Sequence, residues 1–104
     1  MKVVLAPVFA ALGDETRWSI LAELGREELS ASGLAARLPI SRQAIAKHLA
    51  MLVEVGLVHP VPVGREIRYR ALGSRLDELA ARLSRIGDDW ERRLGTINRI
   101  AERL

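Results

Sequence analysis

No cysteine occurs in the 104 residues, which excludes a disulfide framework, thiolate metal ligands and a cysteine nucleophile together. Histidine is nearly as scarce. His48 and His59 are the only two, a poor supply for a zinc site built on imidazoles, and nothing near them supplies the orienting network of a nucleophile, base and acid set. No glycine-rich loop suited to cradling phosphates appears, nor any repeat or low-complexity segment, so an enzyme is the function class with least support. Long apolar runs are missing too. The opening stretch MKVVLAPVFAALGDE meets Asp14 and Glu15 before it is long enough to span a bilayer or serve as a clear export signal. The expectation is a soluble cytoplasmic protein with no membrane partner. A chain of this size buries about 60 to 70% of its unfolded surface, which supports one modest core, and residues 1–104 read as a single domain.

What the chain does have is an uneven distribution of charge. Residues 1–40 carry four basic against five acidic side chains, residues 41–72 five against two, and residues 73–104 seven against six. The net charge of +3 therefore sits in the middle. A basic segment between near-neutral ones fits a polyanion met by one part of the surface, and for so small an excess it fits a solvated face equally well.

Helix signals come first along the chain. Pro7 suits the first turn of a short helix through Leu12, with Gly13 as a left-handed exit. Asp14 caps a second helix whose Ile20, Leu21 and Leu24 form an apolar face, and Gly25 ends it. Ser32 is a candidate cap for the short helix GLAARL, and Pro39 forces a stop. In ISRQAIAKHLAML, Ser41 caps a sharply two-faced helix closed by Gly56. With Ile45 at the origin of a helical wheel, Leu49 and Leu52 lie within about 40° of it, and Gln43, Lys47, Ala50 and Glu54 lie opposite. LVHPVPVGREIRYRAL alternates around Gly64 and Arg65 and reads as two strands joined by a tight turn. Pro60 and Pro62 restrict the first of these to an edge or to partial pairing. From Ser74 on, Leu76, Leu79, Leu83, Ile86, Trp90, Leu94, Ile97, Ile100 and Leu104 make one apolar stripe on a long helix that Gly87, followed by Asp88 and Asp89, is placed to kink or break. The fold class expected is mostly α with a small β-hairpin.

A short helix joined by PIS to a second helix is the pattern of a helix-turn-helix, whose second helix enters the major groove of double-stranded DNA. A groove-facing helix needs hydrogen-bonding side chains near its start and small residues where its backbone comes close. Gln43 suits adenine, Arg42 guanine or a phosphate, Ala46 and Ala50 leave room or meet thymine methyls, and Ser41 and Lys47 suit phosphates. Arg65 at the hairpin tip, with Arg68 and Arg70 beside it, forms a wing for the neighbouring backbone or minor groove.

ALGDETRWSIL, SRQAIAKHLAML, VGLV and GREIRYRAL stand in the order and spacing of the ArsR-type winged-helix repressors of bacteria, which the chain resembles over roughly residues 5–100. The resemblance implies a winged helix-turn-helix acting as a homodimeric repressor on an operator. It implies a recognition helix at residues 41–55, a wing at 57–72, and a dimer interface on the terminal helices, the last at about 74–104. Phe9, Leu83, Ile86, Trp90, Leu94 and Ile97 are the expected interface residues. His48 lies about 60° off the apolar axis, where packing at the helix edge and a phosphate contact are both open, and the family's His-Leu pair favours DNA. Metal-sensing members carry a cysteine pair in the helix that here reads GLAARL, or acidic and histidine ligands in the last helix. This chain has neither, and Asp77, Glu78, Asp88 and Asp89 are better read as solvated ion-pair partners. The resemblance thus implies a member without metal response and without a cofactor.

Alternatives stay open. Trp18 and Trp90 are candidates to wall a small-molecule pocket at a dimer interface, although core or interface packing is the commoner role and no particular effector is indicated. The second reading is a dimeric protein-interaction module that works through the long helix, its winged helix having lost DNA affinity. Tyr69 reads as core with its hydroxyl at the edge and His59 as a solvated strand residue, while Arg17 is within reach of DNA but is more simply a salt-bridge partner near the start of its helix.

Overall fold

The computed structural model describes residues 5–103, and Leu104, the last position of the expected stripe, lies outside them. The elements run α1 (Leu5–Leu12), α2 (Glu15–Leu24), β1 (Leu29–Ser30), α3 (Ala31–Arg37), α4 (Arg42–Glu54), β2 (Val58–Val63), β3 (Glu66–Ala71) and α5 (Gly73–Arg103). The chain divides into two units after Gly73.

In the first unit the helix ends follow local chemistry. Asp14 caps α2 by accepting from the Arg17 N–H at 3.0 Å, and the Ser41 hydroxyl caps α4 by accepting from the Ala44 N–H at 3.2 Å, each satisfying a donor the helix leaves unpaired. α4 closes with the Leu57 N–H donating to Leu52 O and the Gly56 N–H to Val53 O, both at 3.0 Å. Gly56 adopts φ +79 there, the left-handed exit that glycine makes without penalty. Leu57 and Leu52, brought together by this closure, are both fully buried.

Two expectations about these ends are corrected. Gly13 does not take a left-handed exit, since the positive-φ glycines are Gly56 and Gly64; its N–H instead prolongs the helical bonding to Phe9 O and Ala10 O. The cap of α3 is Ser30, not Ser32. The Ser30 hydroxyl accepts from the Gly33 N–H at 3.0 Å, because Leu29 and Ser30 are held extended as a short strand and the helix starts directly after them.

That strand is an addition to the expected hairpin. The sheet has three antiparallel strands in the order β1-β3-β2, with Leu29 opposite Tyr69 and Ser30 opposite Arg68. β2 and β3 pair in full register from Val58↔Ala71 to Val63↔Glu66. β2 is an edge, as its prolines demand. Alternate residues send their backbone polar groups to the same side, so Pro60 and Pro62 can both turn their missing donors away from β3. Gly64 at φ +62, followed by a residue with negative φ, meets the need of a two-residue turn with the left-handed residue first.

The core of this unit is made of Val8, Ala11, Ile20, Leu21, Leu24, Leu34, Ile45, Leu49, Leu52, Leu57 and Val58, all buried. Each large member contributes about 1.5–3 kcal/mol of transfer free energy. α3 packs on α4, and α2 packs on both α4 and β3. Arg37 of α3 reaches Glu23 at 3.2 Å and also pairs with Glu27, and donating hydrogen bonds to Glu27 and then Glu23 holds the guanidinium more firmly protonated. Tyr69 is half-buried and His59 exposed.

The second unit is α5, a single helix without a break at Gly87. Leu79 is buried, whereas Leu83, Ile86, Trp90, Leu94, Ile97 and Ile100 are 40 to 64% exposed. Spacing by threes and fours puts these side chains on one stripe. No helix of the described residues is long and apolar enough to cross a membrane.

Candidate nucleic-acid interface

α4 buries one face completely and leaves the other bare. Ile45, Leu49 and Leu52 are at most 1% exposed, while Arg42, Gln43, Ala46, Lys47 and Ala50 are all exposed. Burial of the apolar positions sets the rotation of the helix about its axis, and the 3.6-residue period then decides what faces out. Ser41 is exposed at its start. Its oxygen accepts the capping bond, and its hydroxyl proton remains available to an acceptor. Bare alanines beside Gln43 and Lys47 let a second surface come close to the helix backbone while two polar side chains reach it.

Ion pairing decides which of the five cations between residues 41 and 72 are free. Arg68 Nε lies 3.0 Å from Glu66 Oε2, and Arg70 Nη2 lies 2.6 Å from Glu28 Oε1. Arg42, Lys47 and Arg65 have no ion-pair partner among the described residues. Two of these flank Gln43 on α4, and the third sits at the tip of the hairpin turn. The free positive charge thus falls on the outward face of one helix and on the end of the wing, a distribution suited to phosphates on both sides of a groove. That Arg70 is matched by a carboxylate was not legible in the sequence, because Glu28 is distant in the chain and becomes a neighbour only through the β1–β3 pairing, whereas Glu66 stands two residues from Arg68 on the same strand face.

His48 is half-buried at the edge of α4, and its Nδ1 lies 3.4 Å from Arg17 Nη1. The expected salt bridge of Arg17 is replaced by other partners. Its Nε donates to Ala11 O at 2.6 Å and its Nη2 to Ala10 O at 3.4 Å, which places the cation on the carbonyl end of α1, where the helix dipole favours it. The Arg17 N–H bond holds the Asp14 carboxyl below its ordinary 3.8, with burial opposing and the charge of Arg17 assisting. Sequence reading missed this junction because its partners are carbonyls, which leave no mark in a pattern of side chains.

The expected interface residues lie on other elements, α1 and α5. Phe9 of α1 is 39% exposed although Val8 and Ala11 beside it are buried, and the others lie along α5. Trp18 and Trp90 are 61% and 59% exposed, so neither belongs to the core of the single chain. Among the described residues no group of three or more His, Asp or Glu is placed to hold a metal ion.

Comparison with known proteins gives the arrangement its family. A family described as a helix-turn-helix domain matches residues 12–61. The uncharacterized HTH-type transcriptional regulator YuzN of Bacillus subtilis (strain 168) is 47% identical over 72 residues, covering 62% of this chain and 75% of its own. A solved ArsR-like transcriptional regulator from Rhodococcus sp. RHA1 is 65% identical with a TM-score of 0.87, over 96% of this chain and 92% of that one. The solution NMR structure of the homodimeric winged helix-turn-helix DNA-binding domain of Mb0332 from Mycobacterium bovis, a possible ArsR-family transcriptional regulator, is 26% identical with a TM-score of 0.68. The similarity covers 82% of this chain and 79% of that one. A two-faced helix behind a short partner helix, a hairpin wing and close similarity to a regulator over nearly the whole chain agree: the protein belongs to the ArsR-type winged helix-turn-helix family of DNA-binding transcriptional regulators.

Proposed function

We propose that this protein is a cytoplasmic transcriptional repressor that binds a palindromic operator as a homodimer and does not respond to divalent metals. The observation that carries this reading is the outward face of α4, where Gln43 stands between Arg42 and Lys47, exposed cations with no ion-pair partner among the described residues, over a floor of alanines. In the major groove Gln43 reads adenine and Arg42 guanine or a phosphate, Ala46 gives close approach, and Ser41, Lys47 and His48 meet the backbone. Arg65 anchors the wing on phosphate, and Arg68 joins it to the extent that Glu66 releases it.

The dimer reading rests on the exposed stripe of α5, and Phe9 of α1 is exposed in the other unit. A contiguous apolar face of this kind is an aggregation hazard on a monomer, and a second copy related by a two-fold axis covers it with the same surface. The homodimeric state of the Mycobacterium bovis neighbour supports it. Independence from metals is supported by the donor set, which lacks cysteine, has one histidine engaged by Arg17 and otherwise offers carboxylates that bind zinc weakly.

Selection of binding sites from random duplex DNA tests the proposal. A palindromic consensus with half-sites about one helical turn apart is expected. Failure to enrich any sequence, or an asymmetric single site, would overturn it.

A further inference from the structure

The structure assigns to Arg17 the role of a positioning residue for the DNA-entering helix: it ties the carbonyl end of α1 to the His48 ring on α4. This rests on the reading of α4 as the helix that meets DNA.

Three elements meet at this one side chain. Its backbone is held at the third position of α2, where its N–H donates to the capping Asp14 carboxylate at 3.0 Å. Its guanidinium has Nε on Ala11 O at 2.6 Å, Nη2 on Ala10 O at 3.4 Å and Nη1 on His48 Nδ1 at 3.4 Å. A guanidinium is a planar fork with fixed donor directions, so two carbonyls of α1 orient the fork and the third arm meets the imidazole. Arginine can only donate. Nδ1 of His48 must therefore be the accepting nitrogen, and the ring proton is carried by Nε2. The junction sets both where α4 stands relative to α1 and α2 and which nitrogen of His48 presents a donor.

Such a residue influences DNA binding without neutralising a phosphate, and that separates it from a direct contact. Direct contacts contribute to the slope of log affinity against log salt, whereas a positioning residue changes affinity and leaves the slope alone. The experiment uses the full chain and a duplex carrying its selected site, with Arg17→Gln and Arg17→Lys compared with wild type after circular dichroism confirms that they fold. Lysine keeps the charge but replaces the fork with a single ammonium, and it serves alone if glutamine fails to fold. Both variants are expected to lose about tenfold in affinity per subunit, the scale of one hydrogen bond to a charged group, with an unchanged salt slope. Nitrogen-15 NMR of the free protein should find His48 protonated at Nε2 in the wild type and a mixture of tautomers in the variants. A fall in slope of about one unit per subunit, full affinity in Arg17→Lys, or a His48 tautomer indifferent to both substitutions would each overturn the assignment. A wild type that binds no duplex at all removes the repressor reading itself, an outcome distinct from a wild type that binds and variants that bind equally well.

Discussion

Arg65→Ala and Arg68→Ala remove the same charge from the same wing, yet they are expected to act differently. Arg65 occupies the hairpin turn with no ion-pair partner among the described residues, whereas Arg68 already holds Glu66 at 3.0 Å. Each phosphate contact adds about 0.9 to the slope of log affinity against log salt on duplex DNA. Loss of Arg65 from both subunits of a dimer should lower that slope by about 1.8. Over a fourfold rise in salt, from about 50 to 200 mM, the variant then loses about twelvefold less affinity than wild type. Arg68→Ala should lower the slope by less than about one unit, since part of its charge is neutralised in the free protein. Glu66→Gln should raise the slope by releasing Arg68. Both arginines are surface residues whose removal changes stability by about 0.5 kcal/mol or less, so folding does not confound the comparison. Fluorescence anisotropy of a labelled duplex across a salt series, with the selected site and a scrambled one, measures all three. An unchanged slope in Arg65→Ala, or equal losses in the two arginine variants, would refute the reasoning that ion pairing decides which wing cation reaches DNA.

Gln43→Ala should cost about 1–3 kcal/mol per half-site on the selected operator and little on random duplex; equal weakening of both DNAs would mean that α4 does not read sequence through this residue. Trp90→Ala combined with Leu94→Ala removes two side chains that are 59% and 40% exposed on α5, and sedimentation should find monomer without operator binding. Leu34→Ala opens a cavity at a residue that is 0% exposed in α3, and urea unfolding should report a loss of about 2–5 kcal/mol. The folded Asp14 carboxyl titrates below its ordinary 3.8, so its stabilising effect is fully present above that value and disappears as pH falls through the lower folded value. Asp14→Ala should therefore be less stable than wild type near neutrality and converge with it at acid pH, as read by thermal melting at a series of pH values.

Local chemistry determined much of this protein. Asp14 and Ser41 as caps, Pro39 as a stop, Gly56 as a left-handed exit and Gly64 with Arg65 as the hairpin turn each follow from the conformations those residues favour. The period of Ile45, Leu49 and Leu52 decided which face of α4 is buried and therefore which residues face outward. Tertiary structure decided what depends on partners remote in sequence. Leu29 and Ser30 carry no strand signal of their own, and they become β1 only because β3 offers an unpaired edge, which moves the cap of α3 from Ser32 to Ser30. Gly87 with two aspartates reads locally as a break, yet the cost of one glycine in a helix interior, about 1 kcal/mol, is small beside the cooperativity of helical turns on either side. The neutralisation of Arg70 by Glu28 and the hold of Arg17 on α1 and His48 likewise arise only on folding. Chain neighbours set the backbone angles, whereas pairing energies belong to groups that only the completed fold brings within a few ångströms of one another.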